Sequence, residues 1–193
     1  MCAAVKMNTQ TTAKELFEQT LEWLRSNYGN YDFFLERDLV WTVQLKLREM
    51  IAENNLQFEV YNDFPIMKAQ RRSRTVDLAI LNKRNEVELA VEFKYEPDHK
   101  RSFGAKKDIW PSKFDPSVVF WGKDGVGKDV KRAKQYVDQE RAKEAMTVFV
   151  DEGGFFRHRE PHQGTKWIDW NCGGRKPREI SLLIGYFTRL KIK

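Results

Sequence analysis

Cysteine is nearly absent, with only Cys2 and Cys172 in 193 residues. One of them stands beside the initiator methionine, so the pair makes no disulfide framework, and this usage fits a reducing cytoplasm. Long apolar runs are missing as well. Stretches such as Leu182-Leu183-Ile184 fall far short of the roughly 18–20 residues that span a bilayer, which excludes a membrane-spanning helix and a membrane partner. No apolar core follows Met1-Cys2-Ala3-Ala4-Val5-Lys6, so a cleaved secretion signal is not expected. Internal repeats, low-complexity segments and linker-like composition breaks are lacking too. One cytoplasmic domain over 1–193 is expected, with its core at about 36–151.

Apolar material is not scarce. Hydrophobic residues make up 41 % and aromatics 13 % of the chain, enough for a packed core. Charged residues reach 32 % and the formal net charge is +6, with a sequence pI near 9.2. This balance describes an ordinary basic protein as well as one that meets a polyanion, so charge alone selects no function.

Thr12-Ala13-Lys14-Glu15 has the form of a capping box, and the helix it opens should end near Asn27 to Gly29. A second helix is expected from about Glu36 to Asn54, with Leu39, Val40, Val43, Leu47, Met50 and Ile51 on one stripe. The period then changes to that of strands at Leu56–Tyr61, Thr75–Leu81, Val87–Tyr95 and Met146–Val150. A helix from Val130 to Ala142 separates the last two. The stretch from Glu96 to Gly127 reads as a long loop with one apolar run, Val118-Val119-Phe120-Trp121. After Asp151 irregular structure is expected, then short strands around Trp167–Trp170 and a buried strand at Ile180–Phe187. Residues 152–193 carry no functional reading.

Two of these strands are joined by the short Asn82-Lys83-Arg84-Asn85, which makes an antiparallel hairpin. Val76, Leu78 and Ile80 share one face of the first strand and leave Asp77 on the other. Val87, Leu89, Val91, Phe93 and Tyr95 share a face of the second and leave Glu88, Ala90, Glu92 and Lys94 opposite. Matching the faces pairs Leu81 with Glu86 and hence Asp77 with Ala90. Glu92 is then the diagonal neighbour of Asp77, roughly 5–8 Å away. Two carboxylates this close repel unless one is protonated or a cation lies between them. Mg²⁺ suits the pair, because it takes one or two carboxylates and fills its shell with water and phosphate oxygens. Lys94, two residues on, adds a positive charge for a pentavalent phosphate and can orient or deprotonate the attacking water. Taken alone, a Glu-x-Lys is more often a solvated strand face. Here its strand is expected to be internal, and Glu36, an acid on the buried stripe of the second helix, needs a partner.

In Glu36, Val76-Asp77-Leu78-Ala79-Ile80 and Val91-Glu92-Phe93-Lys94-Tyr95, and in the order of its elements, the chain resembles the PD-(D/E)xK nucleases. The resemblance covers roughly three-fifths of the sequence, with Val76 where the family's name has proline. It implies an α/β fold with an αβββαβ core, a central mixed sheet flanked by helices, an N-terminal helix and a C-terminal extension. It also implies that Asp77 and Glu92 hold Mg²⁺, or Mn²⁺ as substitute, with the Phe93 carbonyl as a further ligand. Lys94 would position the nucleophilic water, and Glu36 would bind the metal directly or through water. The implied activity is Mg²⁺-dependent phosphodiester hydrolysis, a deoxyribonuclease acting on DNA, with RNA left open. A nuclease-like domain that binds without cleaving is the alternative. A homodimer would allow cleavage of both strands, but no residue pattern marks one.

Between Asp98 and Lys134 ten Lys or Arg face five acids, an excess suited to a nucleic-acid backbone. Lys128, Lys131, Arg132 and Lys134, with Gln135 nearby, form one candidate patch, and a solvated helix face explains it equally well. His99, Lys100, Arg101, Lys106 and Lys107 form a second, and Lys68, Arg71, Arg72 and Arg74 a third. Gly122 to Asp129 also matches the phosphate-loop pattern G-x-x-x-x-G-K, but Asp129 replaces the hydroxyl residue that ligates Mg²⁺. His158, His162 and Cys172 suggest zinc, yet Pro161 breaks the helix that such a histidine pair needs. Trp110, Trp121, Trp167 and Trp170 are suited to base stacking or, more simply, to the core. No Ser-His-Asp or Cys-His set has recognisable flanks.

Overall fold

Thr12 closes the first turn of α1 (Ala13–Asn27) reciprocally. Its Oγ1 accepts from the Glu15 amide at 3.1 Å, and its own amide donates to Glu15 Oε2 at 2.9 Å. In the computed structural model, which describes residues 11–68, 73–98, 116–122 and 125–189, this helix packs beside α2 (Glu36–Glu53). The Asp38 carboxylate caps α2 by accepting from the Phe34 and Leu35 amides at 2.8 Å each. Leu39, Val40, Val43 and Leu47 are buried, as their spacing requires.

Among the described residues six strands follow: β1 (Phe58–Met67), β2 (Arg74–Asn82), β3 (Val87–Glu96), β4 (Glu144–Asp151), β5 (Thr165–Cys172) and β6 (Arg178–Thr188). They form one mixed sheet in the order β1-β2-β3-β4-β6-β5. Only β3 and β4 run parallel. A parallel pair needs a crossover, which here contains α3 (Pro116–Val119) and α4 (Val126–Asp138). The sheet separates two cores. α1 and α2 cover Leu78, Ile80, Leu89, Val91, Phe93 and Tyr95 on one side. α4, with Val119 and Phe120, covers Ala79, Leu81, Ala90 and Phe149 on the other. The chain is thus α/β, with β3 internal between β2 and β4.

Several boundaries differ from those expected. β1 runs on to Met67 through Pro65, because an edge strand tolerates a residue without an amide hydrogen. α4 begins at Val126 and ends at Asp138, where Glu140 takes a left-handed conformation with φ 56°. The run Val118-Val119, expected within a long loop, is helical. β5 and β6 extend the same sheet through β4, so the C-terminal segment belongs to it.

The β2–β3 register also differs. Leu81 lies opposite Val87, and a bulge then sets Ile80 against Leu89 and Leu78 against Val91. Asp77 is therefore brought across from Glu92 instead of Ala90. The bulge puts Val87 in the α4-side core, away from Leu89; Val76 lies in that core too, away from Leu78, with which it was expected to align. Among the described residues, no helix is long and apolar enough to cross a membrane.

Candidate active site

The pairs of the β2–β3 ladder run as far as Leu78–Val91. Beyond them the Asp77 carboxylate accepts from the Phe93 amide at 2.7 Å, in place of a β2 carbonyl. The carbonyl of a strand residue points the same way as its amide, so the Phe93 oxygen faces the same gap. Glu92 and Lys94, on the other face of β3 from Phe93 and Tyr95, are turned toward α4. From the opposite side of the sheet, Glu36 in the first turn of α2 reaches the same end of the strands. Its Oε2 accepts from the Tyr95 amide at 3.2 Å and lies 3.6 Å from Lys94 Nζ.

Glu92 is 1 % exposed. Its Oε1 accepts from the Tyr136 hydroxyl and lies 3.2 Å from an Arg132 nitrogen. Arg132 donates as well to the Thr75 carbonyl and, at 3.1 Å, to the Tyr136 oxygen. Burial pushes the Glu92 carboxyl well above its ordinary range and the Asp77 charge adds to this, while Arg132 and the Tyr136 hydrogen bond oppose it. Burial also raises Glu36, against the pull of Lys94. For Lys94 burial acts downward, but Glu36, Asp129 and Asp77 together outweigh it and the ammonium is held above its usual value. Lys94 therefore keeps its proton at neutral pH.

Asp129 is a site residue that sequence reasoning set aside. It lies in the first turn of α4, only 4 % exposed. Burial pushes its carboxyl up to about 7, with Lys94 and Lys128 opposing and Asp77 and Glu36 reinforcing the shift. Oδ1 lies 3.9 Å from Lys128 Nζ, while Oδ2 is buried and takes no hydrogen bond among the described residues. The available signal was its place on the apolar face of α4 beside Val126, Val130 and Ala133, where a carboxylate is out of keeping.

Among the described residues, Glu36, Asp77, Glu92 and Asp129 thus meet Lys94, Arg132 and Lys128, four carboxylates against three cations. Among the described residues, Asp77 Oδ1 and Glu92 Oε2 accept no hydrogen bond. Unshared carboxylate oxygens beside a backbone carbonyl form a hard-oxygen donor set that suits Mg²⁺ or Mn²⁺. No set of three or more His, Cys, Asp or Glu among the described residues is gathered tightly enough to hold one ion by side chains alone. The arrangement offers carboxylate pairs, which Mg²⁺ ordinarily supplements with water and phosphate.

No family model, no curated protein and no solved structure matches this chain.

The remaining candidates are distributed around this centre. Arg132 is turned inward onto Glu92 rather than outward with Lys131, which is exposed. Lys128 and Gln135 are partly buried, and Arg74 is exposed at the start of β2. Arg72, Lys100 and Arg101 lie outside the described residues, as do His99, Lys106, Lys107 and Trp110. The helix at Pro116–Val119 replaces the strand that a phosphate loop requires before its glycines. His162 stacks on Phe120 with centroids 4.7 Å apart, whereas Cys172 is buried in the core on the other side of the sheet, so they do not converge on zinc. Trp167 and Trp170 pack into the protein, and Trp121 is 51 % exposed beneath Arg159.

Proposed function

We propose that this chain is a Mg²⁺-dependent nuclease that hydrolyses phosphodiester bonds in DNA. The observation that carries this reading is the convergence of Asp77, Glu92, Lys94 and Glu36 where β2 and β3 part, with carboxylates in excess of cations among the described residues. Asp77, Glu92 and the Phe93 carbonyl would hold the divalent ion, with Glu36 close by. When bound, that ion lowers the pKa of a coordinated water and offsets charge on the phosphate.

The chain's own residues have separable tasks. Lys94 presents a fixed ammonium to the phosphate and the attacking water, and since it retains its proton it donates rather than acting as a base. Glu36 steers that ammonium through their 3.6 Å contact. Arg132 and Tyr136 hold Glu92 by one oxygen and leave the other for a ligand. They are positioning residues, a role that replaces the expected phosphate contact of Arg132. Lys128, Lys131, Gln135 and Arg74 flank the centre and suit contacts to the nucleic-acid backbone. In the reaction a water oxygen bonds to phosphorus as one ester P–O bond breaks. The departing ester oxygen takes up a proton and leaves as a hydroxyl, and a proton of the attacking water is released to solvent, leaving a phosphate monoester.

The test is incubation of the full chain with supercoiled plasmid, single-stranded DNA and single-stranded RNA, in Mg²⁺, in Mn²⁺ and with EDTA. Divalent-dependent DNA cleavage is expected, reduced at least a hundredfold in Lys94→Ala while DNA binding by gel shift persists. A folded parent that binds DNA and cuts none of these would instead be a non-cleaving domain. Cleavage confined to RNA would correct the substrate.

A further inference from the structure

An acid in the first turn of a helix is usually solvent-exposed, where the helix dipole and water both stabilise it. Asp129 occupies such a turn yet is 4 % exposed, and its Oδ2 is buried with no hydrogen-bond partner among the described residues. Buried polar atoms are nearly always satisfied, and a lone buried carboxylate oxygen is among the costliest exceptions. Nothing in the packing of α4 demands the residue, since Val126, Val130, Ala133 and Val137 supply the apolar face. The charges that act on it are those of Lys94, Lys128, Asp77 and Glu36, which places it against the centre from the α4 side.

We propose that Asp129 is a divalent-cation ligand, its Oδ2 binding the ion together with Asp77. Asp77 is then common to two carboxylate pairs, one with Glu92 along the sheet and one with Asp129 across to the helix. Two carboxylates with water suffice for Mg²⁺ or Mn²⁺. The inference rests on the nuclease reading, because it deepens the metal requirement of that same centre. It adds a ligand from an element to which the sequence pattern assigned only phosphate contacts.

The experiment is a Mn²⁺ titration of the full chain followed by electron paramagnetic resonance, in which bound Mn²⁺ loses its six-line signal. It is run in about 0.5 M KCl, which screens the general field of a missing charge but not direct ligation. Asp129→Asn keeps the side-chain shape and is expected to bind Mn²⁺ at least tenfold more weakly than the parent, or to lose one bound ion. Asp77→Asn should lose at least as much. Circular dichroism checks the fold, and Asp129→Ser replaces the asparagine variant if that one unfolds. Mn²⁺ binding within twofold of the parent in the Asp129 variant, with loss in Asp77→Asn, overturns the inference and leaves the nuclease reading intact. A parent that binds no Mn²⁺ overturns both.

Discussion

At the scale of single residues, the candidate site is a matter of which buried charges are answered and by what. Alternation along β3 was enough to bring Glu92 and Lys94 to one face, and the acid on the α2 stripe did find the lysine, at 3.6 Å. Arg132 was not legible, because a helical arginine reads as solvent-facing until the partner beneath it is known. Its guanidinium answers a carboxylate that is 1 % exposed. Removing one member of a buried pair leaves the other unpaired, so Arg132→Ala should cost about 2–4 kcal/mol at pH 8. The folded-state pKa of Glu92 is raised, so its ionised form weighs against folding as pH increases, and Arg132 offsets that burden. The loss should therefore shrink near pH 5, where the orphaned carboxyl holds a proton. Urea unfolding at the two pH values measures it, and an equal loss at both would contradict this role.

At the scale of elements, the misreadings share a cause. Proline and glycine stand inside or beside regular elements where the tertiary context makes them harmless or necessary. Pro65 sits in edge strand β1. Gly125 and Gly127 looked like a turn, although Gly125 is the N-cap of α4 and Gly127 lies within its first turn. A side chain at Gly125 would place its Cβ 2.5 Å from the Val119 carbonyl oxygen and 2.7 Å from that of Val118. Gly125→Ala must push α4 away from the helix at Pro116–Val119 and carry Asp129 with it. A loss of about 1–3 kcal/mol is expected, together with weaker Mn²⁺ binding. Parental Mn²⁺ affinity in a destabilised variant would show that the start of α4 does not position the site. The β2–β3 bulge was equally hidden, since Val87 and Leu89 are both apolar and both buried, and nothing in the pattern shows that a bulge sends them to opposite cores.

At the scale of the whole molecule, the order of helices and strands was readable because each long segment has one clear period. How β5 and β6 complete the sheet was less readable, since half-exposed β5 carries little alternation. The protein as a whole also has a pH signature. Burial raises Asp129 to about 7 and Asp151 to about 6, and raises Glu36 and Glu92 as well. These groups keep protons in the folded state that the unfolded chain has already released, so stability must fall as pH rises through this interval. In EDTA the melting temperature should drop between pH 5 and pH 8, and Mg²⁺ should restore it chiefly at pH 8, where Asp129 has largely lost its proton. Scanning calorimetry reads both effects, and a flat profile with no response to Mg²⁺ would oppose them. The most direct measurement is the anomalous difference map of a crystal soaked in Mn²⁺. A peak within coordinating distance of both Asp77 and Glu92 is expected, beside the Phe93 carbonyl; a map with no density there, or with Mn²⁺ only elsewhere on the surface, would contradict a metal centre at the parting of β2 and β3.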